Sequence, residues 1–254
     1  MPKKKPYLSI IIPVYNEAKR LPRTLLALDM HLAYVPYTYE LIVVNDGSVD
    51  ETGTVVRSFT HLVPNLAIIE HIQRQGKGAA VKKGMLAARG AYRLFTDADN
   101  AIPIEHFTHD FLPVLTEEKE DVLVGVWPFV QKKKLMFLDI CAAKCSKIAH
   151  HCVRLFALPD STNSQSGFKC FSERAANKIF SIQKLTGWGF DTEILLLAER
   201  FGYTPREISV SCNNHEFSHV GRWDSLSIAW DAVKTKHLLQ KNGYHLDKQW
   251  DTRL

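Results

Sequence analysis

Two carboxylates stand one residue apart at the end of a mostly apolar stretch. Tyr92–Thr96 predicts a buried strand, and Asp97 and Asp99 follow it at once. Carboxylates held this close repel each other, and a divalent cation relieves the repulsion. Oxygen ligands suit Mg²⁺ or Mn²⁺, and such a cation commonly binds phosphate groups as well. The simpler alternative is a surface turn in which both side chains cap backbone groups.

Other polar turns follow apolar runs earlier in the chain, at Tyr15–Glu17, Asp46–Asp50 and Arg74–Gly78. Parallel strands would bring these turns and the acidic turn to one edge of a sheet, where α/β proteins bind ligands. Arg74 and Lys77 are candidate diphosphate contacts, although their turn lacks the Ser/Thr and the earlier glycine of a P-loop. A solvated loop explains that turn equally well. No Gly-x-Gly-x-x-Gly follows the first strand, which argues against a dinucleotide oxidoreductase.

Alternating strands and helices must position these turns. The predicted strands are Tyr7–Val14, which Pro13 ends, then Glu40–Asn45, Leu66–Glu70 and Tyr92–Thr96. The predicted helices are Glu17–Leu32, a segment ending at Phe59, Ala79–Arg89, Leu135–Phe156, Leu185–Arg200 and Trp223–Gln240. This order predicts the α/β class, with a mostly parallel central sheet flanked by helices.

Composition limits the function classes. The chain has 254 residues, a net charge of +5 and five cysteines, an odd number without a paired framework. The charge fits an anionic ligand or a membrane surface, but a solvated charged face explains it equally well. We expect no nucleic-acid partner, no secretory leader and no apolar run long enough to span a bilayer. The predicted location is the cytoplasm, with peripheral attachment to the cytoplasmic membrane face as the alternative to a freely dissolved protein.

Several motifs in order resemble a known family. Ser9–Glu17, Val43–Asp50, Gly76–Val81 and Phe95–Asp99 resemble the opening of a family 2 glycosyltransferase. Gln165–Lys169 and Gly189–Leu195 resemble dolichyl- or polyprenyl-phosphate sugar transferases, especially the dolichyl-phosphate β-glucosyltransferase branch. The resemblance implies a GT-A type fold. Residues 1–125 would be the nucleotide-sugar-binding half, and residues 126–254 the acceptor-side half of the same domain.

The resemblance also implies roles for individual residues on the donor side. The nucleotide pocket would be lined by Pro13, Tyr15 and Glu17. Asp46 would hydrogen-bond the uracil or guanine base, and Lys77 would lie near the base or the phosphates. Asp97 and Asp99 would flank the diphosphate and hold Mg²⁺ or Mn²⁺, with Asp99 the firmer metal ligand.

On the acceptor side, Asp191 is the candidate catalytic carboxylate and Glu193 the second choice. Gln165, His219 and Arg222 are candidate contacts for the acceptor or the diphosphate. The start of a helix favours the ionised form of a carboxylate. An ionised Asp191 is a poor base for an alcohol but can orient an acceptor that is already a phosphate. The alternative is that Asp191 only caps the helix.

Some positions depart from the family pattern. Asn45 stands where Asp is usual, Trp127 where an Arg that contacts phosphate is expected, and Asn163 where Asp is usual. Ala101 stands where some relatives place Gln near the metal. These departures are compatible with a divergent acceptor or with lost activity.

The implied reaction is inverting transfer of a sugar, with glucose first among candidates, to a polyprenyl or dolichyl phosphate. The implied donor is a UDP-sugar first, with a GDP-sugar as the open alternative. The basic segment 132–156, with its apolar stripe, is either a peripheral membrane contact or an ordinary core helix. Two alternatives stay open: a transferase acting on a soluble or protein-bound sugar acceptor, and a non-catalytic nucleotide-sugar-binding relative.

Overall fold

The computed structural model describes residues 5–127, 166–213, 230–231, 234–239, 241 and 243–244. Five features of the sequence analysis lie outside the described residues, namely the basic segment 132–156, Asn163, Gln165, His219 and Arg222. The expectations for them therefore stay predictions.

The described strands form one sheet. They are β1 (Leu8–Val14), β2 (Tyr39–Asn45), β3 (Leu66–Glu70), β4 (Tyr92–Phe95), β5 (Val122–Val126), β6 (Lys169–Ser172) and β7 (Arg206–Ser209). Their order across the sheet is β3-β2-β1-β4-β6-β5-β7. β1 to β4 are parallel, β6 runs antiparallel to β4 and β5, and β7 is parallel to β5. The predicted mostly parallel α/β sheet is confirmed, and residues on both sides of position 125 contribute strands to it.

Five described α-helices connect and cover these strands. They are α1 (Leu21–Leu32), α2 (Thr52–Phe59), α3 (Lys77–Ala87), α4 (Glu173–Ile182) and α5 (Phe190–Arg200), and two π-helical segments follow β4 at Phe107–Phe111 and Val114–Glu118. The predicted helix Leu185–Arg200 begins only at Phe190, because Thr186 bonds to α3 and Gly187 and Gly189 disfavour helix. Of the predicted helix Trp223–Gln240, the described parts 230–231 and 234–239 are helical.

The sheet separates two cores, because successive side chains of a strand point to opposite faces. Ile11 packs on one face with residues of α3, α4 and α5, while Ile10 and Ile12 pack on the other face with α1 and the first π-helical segment. The mostly apolar sequence of β1, with the buried Ser9 as its one polar residue, is thus explained by burial on both faces, the pattern expected of a parallel strand.

Pro13 does not end β1, contrary to the sequence prediction. It pairs with Val44 inside the strand, which continues to Val14. The pairing of β1 with β4 stops at Ile11. Pro13 therefore lies beyond the reach of β4, and its missing N–H removes no ladder hydrogen bond on that side.

The carboxyl ends of β1 to β4 lie at one edge, as the parallel pairing requires. Because β6 is antiparallel, its first residue, Lys169, pairs with Phe95, the last residue of β4. This pairing brings a part of the second half of the chain to the acidic turn. Within the described residues, we find no helix that is both long and apolar enough to cross a membrane.

Candidate functional site

The acidic turn is paired with the start of α3. Nζ of Lys77, the first residue of α3, lies 2.7 Å from Oδ1 of Asp97, the second residue after β4. Burial disfavours the charge on Lys77, but the nearby carboxylates of Asp97 and Asp191 outweigh burial and raise the pKa of Lys77. Lys77 is therefore a firmly protonated cation at the edge where anions would bind.

A second, deeper ion pair lies beside the first. Nζ of Lys169 is 2.5 Å from Oδ1 of Asp191 and 2.5 Å from the carbonyl oxygen of Ser166. Burial raises the pKa of Asp191 and lowers the pKa of Lys169, while each charge supports the other. The sequence predicts that the helix start favours ionised Asp191; burial outweighs that effect, because the carboxyl lies beneath the protein surface rather than in water.

Asp191 does not cap α5. The N-cap residue is Gly189, and Asp191 lies in the first turn with its carboxylate directed to Lys169. The capping alternative is therefore wrong. Lys169 is a site residue that the sequence analysis missed. The available signal was a lysine between Phe168 and the apolar pair Cys170 and Phe171, since a buried charge requires a partner.

The two pairs form one alternating group of charges. Lys77 interacts electrostatically with Asp191 as well as with Asp97, and Lys169 interacts with Asp97. The backbone at Gly167 approaches Asp97 so closely that a Cβ atom there would overlap the carboxyl group. The structure thus brings together three predicted site residues from distant parts of the chain, and Gly167 is required for that approach.

Glu193 bonds to other residues than this group of charges. It is fully buried, and its carboxylate accepts hydrogen bonds from the backbone N–H groups of Lys184 and Leu185 and from the hydroxyl of Tyr244. Burial raises its pKa, although these donors oppose that effect. A catalytic role for Glu193 stays a prediction. Its contacts are those of a residue that fixes the backbone of Lys184 and Leu185.

The predicted base-binding residue, Asp46, lies on the neighbouring turn. Its Oδ1 accepts the backbone N–H of Gln75 at 2.9 Å and lies 2.7 Å from Nδ1 of His71. Its Oδ2 accepts the N–H of Gly76 at 2.7 Å. Asp46 therefore fixes the turn that leads directly into Lys77. Hydrogen bonding to a base stays a prediction.

The remaining predicted pocket residues surround these turns. The guanidinium of Arg74 lies 4.1 Å from the centroid of the Tyr15 ring, a cation–π contact. Glu17 is buried and binds Arg20 through both carboxylate oxygens, at 2.6 and 2.7 Å. Pro13 is buried within β1. Their nucleotide contacts stay predictions.

The other acidic residue, Asp99, accepts the backbone N–H of Ala101 at 3.1 Å, so one oxygen does cap the turn. The N–H of Asn213 bonds the carbonyl of Ala101 at 2.8 Å, which brings the segment after β7 to this turn. Burial and the two carboxylates raise the pKa of Cys212 to about 11, so its thiol is neutral at pH 7. Two carboxylates beside a neutral thiol form an oxygen donor set, which fits Mg²⁺ or Mn²⁺.

Two family departures are explained by their contacts. The amide of Asn45 donates to Oε1 of Glu70 at 3.2 Å and accepts the N–H of Ser48 at 3.2 Å. An aspartate would lack the donor and would face the Glu70 carboxylate. Trp127 packs, partly buried, against the core on the α1 side of the sheet.

The chain is similar in sequence and in fold to known proteins. Residues 9–169 match the family described as Glycosyl transferase family 2. Dolichyl-phosphate beta-glucosyltransferase ALG5D of Trichomonas vaginalis is 31% identical over 236 residues, covering 90% of this chain and 72% of the relative. Dolichyl-phosphate beta-glucosyltransferase of Homo sapiens is 29% identical over 243 residues, covering 89% of this chain and 74% of the relative.

Among solved structures, glucosyl-3-phosphoglycerate synthase from Mycobacterium tuberculosis, in complex with Mn²⁺, UDP-glucose and phosphoglyceric acid, has a similar fold. The TM-score is 0.66 at 17% identity, over 91% of this chain and 79% of that one. The GT-A type fold implied by the motifs is therefore confirmed.

Proposed function

The chain belongs to glycosyltransferase family 2, and from this membership we propose that it transfers glucose from UDP-glucose to a dolichyl or polyprenyl phosphate. The two relatives are dolichyl-phosphate beta-glucosyltransferases, and each alignment covers most of this chain and most of the relative. The observation that carries the proposal is the alternating group of Asp97, Lys77, Asp191 and Lys169 at the carboxyl edge of the sheet. A diphosphate and an acceptor phosphate each need such a preorganised charged edge.

The donor side consists of the turns after β1 to β4. Lys77 supplies a protonated amine for the diphosphate, and Asp46 holds the turn that precedes it. Asp97 and Asp99 would hold a divalent cation, which when bound neutralises negative charge on the diphosphate as it leaves. Support for a UDP-sugar comes from the solved structure of similar fold, whose complex contains UDP-glucose and Mn²⁺.

The acceptor side begins at the start of α5. An acceptor phosphate already carries negative charge, so it needs orientation more than deprotonation before it attacks the anomeric carbon. The attack would come from the face opposite the leaving diphosphate, which inverts the configuration. Lys169 holds the Asp191 carboxylate in place, where it would orient the acceptor by accepting a hydrogen bond from a protonated phosphate oxygen.

The relatives' substrates favour a lipid phosphate over a soluble or protein-bound sugar acceptor, and they favour an active enzyme over a non-catalytic binder. A lipid acceptor places the reaction at a membrane surface. We retain the basic segment 132–156 as the proposed contact, and residues 126–254 as the proposed acceptor-side half.

The test is a transfer assay with radiolabelled UDP-glucose, GDP-mannose and related donors. Each is offered to a short polyprenyl phosphate or to a soluble sugar, with Mn²⁺, Mg²⁺ or EDTA. We expect lipid-linked glucose from UDP-glucose in the presence of metal, and its loss in Asp99→Ala but not in Asp29→Ala on α1. Transfer only to the soluble sugar, or no transfer in any combination, would contradict the proposal.

A further inference from the structure

The short segment between α4 and α5, residues 183–187, packs against the beginning of α3. The carbonyl oxygen of Thr186 accepts the N–H of Gly78 at 2.8 Å and that of Ala79 at 3.3 Å. The side-chain amide of Gln183 donates to the carbonyl of Gly78 at 3.0 Å. This segment, called the 183–187 linker below, therefore satisfies backbone groups in the first turn of the helix that Lys77 begins.

The same contacts explain why glycines flank Lys77. A Cβ atom at Gly78 would lie 2.6 Å from the carbonyl oxygen of Leu185 and 2.7 Å from Cβ of Phe190. Gly76 has a φ of 106°, and a Cβ atom there would overlap the carbonyl of Thr186. The Gly-Lys-Gly sequence thus fits closely against the linker backbone, and these contacts help to place Lys77.

Glu193 holds the linker in turn. Its Oε1 accepts the N–H of Lys184 and its Oε2 accepts the N–H of Leu185, both at 2.8 Å. These donors come from consecutive residues, so one carboxylate fixes both the position and the orientation of the linker. Because Glu193 is fully buried, water does not compete for these hydrogen bonds.

The C-terminal part of the chain completes this arrangement. The hydroxyl of Tyr244 donates to Oε1 of Glu193 at 2.6 Å. The side chain of Lys184 donates to the carbonyl of Gly243 at 2.7 Å, and its ammonium lies 4.8 Å from the centroid of the Tyr244 ring. Residues 243–244 therefore contact both the linker and the carboxylate that holds it.

We infer that Glu193, supported by Tyr244, is a positioning residue for Lys77. It acts through the 183–187 linker, which sets the start of α3 and so places the Lys77 ammonium at Asp97. The expected effect on substrate binding rests on the donor site proposed above. The inference goes beyond that proposal because it gives different roles to the two acidic residues in the first turn of α5. Asp191 lies in the charged group, whereas Glu193 keeps the cation for the diphosphate in position.

The two possible roles of Glu193 differ in what they change. A positioning residue affects the affinity for the nucleotide and the protection of the first amides of α3. A catalytic base affects kcat and its pH dependence and leaves nucleotide affinity intact. A merely structural residue changes the melting temperature but neither of these quantities well below that temperature.

The experiment compares the unaltered protein with Glu193→Gln, Tyr244→Phe and the control Glu199→Gln, which alters an exposed residue of the same helix. Hydrogen exchange is measured for the Gly78 and Ala79 amides without ligand. UDP affinity is measured by calorimetry with Mn²⁺, and kcat and KM by the transfer assay. All temperatures are well below the melting transitions.

For Glu193→Gln we expect faster exchange of both amides and UDP affinity weakened about fivefold, the size of losing one ordinary hydrogen bond. We expect a raised KM for the donor, a kcat changed less than about twofold, and an unshifted pH profile. Tyr244→Phe should change the exchange rates and the UDP affinity in the same direction but by a smaller amount, because the Glu193 carboxylate is still present. Glu199→Gln should change neither.

Unchanged exchange and unchanged UDP affinity in Glu193→Gln would overturn the inference. So would a fall in kcat of about 100-fold or more at constant UDP affinity, because that result identifies a base. If the unaltered protein binds no UDP, the proposed donor site fails, and the exchange rates of Gly78 and Ala79 still decide whether Glu193 holds the start of α3.

Discussion

Nζ of Lys169 and Oδ1 of Asp191 lie 2.5 Å apart, and neither side chain is more than 3% exposed. The pair joins the first residue of the antiparallel strand β6 to the first turn of α5. A buried carboxylate without a partner would be protonated or would pull water into the core. Lys169 therefore makes it feasible for Asp191 to stay charged at the centre of the site.

Replacing Lys169 tests this relationship. Lys169→Met removes the counter-ion from Asp191, and burial then raises the pKa of Asp191 further. If ionised Asp191 orients the acceptor, activity at pH 7 falls and the acidic limb of the kcat–pH profile moves up by about one unit or more. A kcat–pH series measures the shift.

The matched control is Lys83→Met, which alters an exposed lysine on α3. Its profile should match that of the unaltered protein. A Lys169→Met profile with lower kcat but the same acidic limb would indicate that Lys169 supports only the fold.

The pairing of Lys77 with Asp97 predicts competition with metal. The ammonium of Lys77 occupies an oxygen of Asp97 that a divalent cation would use. Lys77→Met should therefore strengthen Mn²⁺ binding in the absence of nucleotide by about threefold or more, because an attractive rival charge has been removed. It should weaken UDP binding at the same time.

Titration of Mn²⁺ followed by electron paramagnetic resonance, without nucleotide, measures the first effect. Lys83→Met should leave Mn²⁺ binding unchanged. Weaker Mn²⁺ binding in Lys77→Met would show that the two charges do not compete for Asp97.

Glu40 predicts a pH-dependent contribution to stability. Burial disfavours its ionised form, but hydrogen bonds from Ser9 and Arg89 and the Arg89 charge outweigh burial and lower the pKa of Glu40. A carboxyl with a lowered folded-state pKa stabilises the fold above its unfolded-state pKa, and this contribution is lost as the pH falls through the folded-state pKa.

We expect Glu40→Gln to lower the free energy of unfolding at pH 7 by about 2 kcal/mol, because it weakens hydrogen bonds to a charged group. The difference from the unaltered protein should shrink as the pH is lowered towards about 3. Urea denaturation across a pH series measures it. A difference that is constant with pH would contradict the contribution of the charge.

Asn45 stands where the family usually has Asp, and we expect its amide to contribute to the free energy of unfolding. Asn45→Asp removes the donor to Glu70 and adds a like charge beside it, so we expect a loss of about 1 kcal/mol. Adding Glu70→Gln should recover most of that loss, because the new amide can donate to the carboxylate at position 45. Urea denaturation of the two single variants and the double variant gives the coupling. Additive losses would show that the two side chains do not interact.

Much of the sheet could be predicted because burial on both faces leaves a plain sequence signal. β1 and β2 are mostly apolar runs, interrupted by Ser9 and by Glu40, and the acidic turn after β4 follows from the parallel order. Local sequence also indicated α1, whose apolar positions recur at helical spacing.

The rest depends on contacts between distant residues. Lys169 entered the sequence analysis only as the last residue of the family motif Gln165–Lys169, because its partner lies on α5 and no local pattern links the two. The late start of α5 is partly local, because Gly187 and Gly189 disfavour helix. It also depends on distant residues, because the backbone groups of Leu185 and Thr186 bond to Glu193 and to the start of α3. The sequence predicted diphosphate contacts at Arg74 and Lys77, which stay predictions, but it gave no sign that Gly76 and Gly78 also admit the linker backbone.

The most direct test of the central claim is calorimetry of UDP binding with and without Mn²⁺, in the unaltered protein, in Asp99→Ala and in Asp29→Ala. We expect Mn²⁺ to strengthen UDP binding in the unaltered protein and in Asp29→Ala, and the strengthening to disappear in Asp99→Ala. Equal UDP affinity with and without Mn²⁺, or an undiminished Mn²⁺ effect in Asp99→Ala, would contradict a cation held by the acidic turn for the diphosphate.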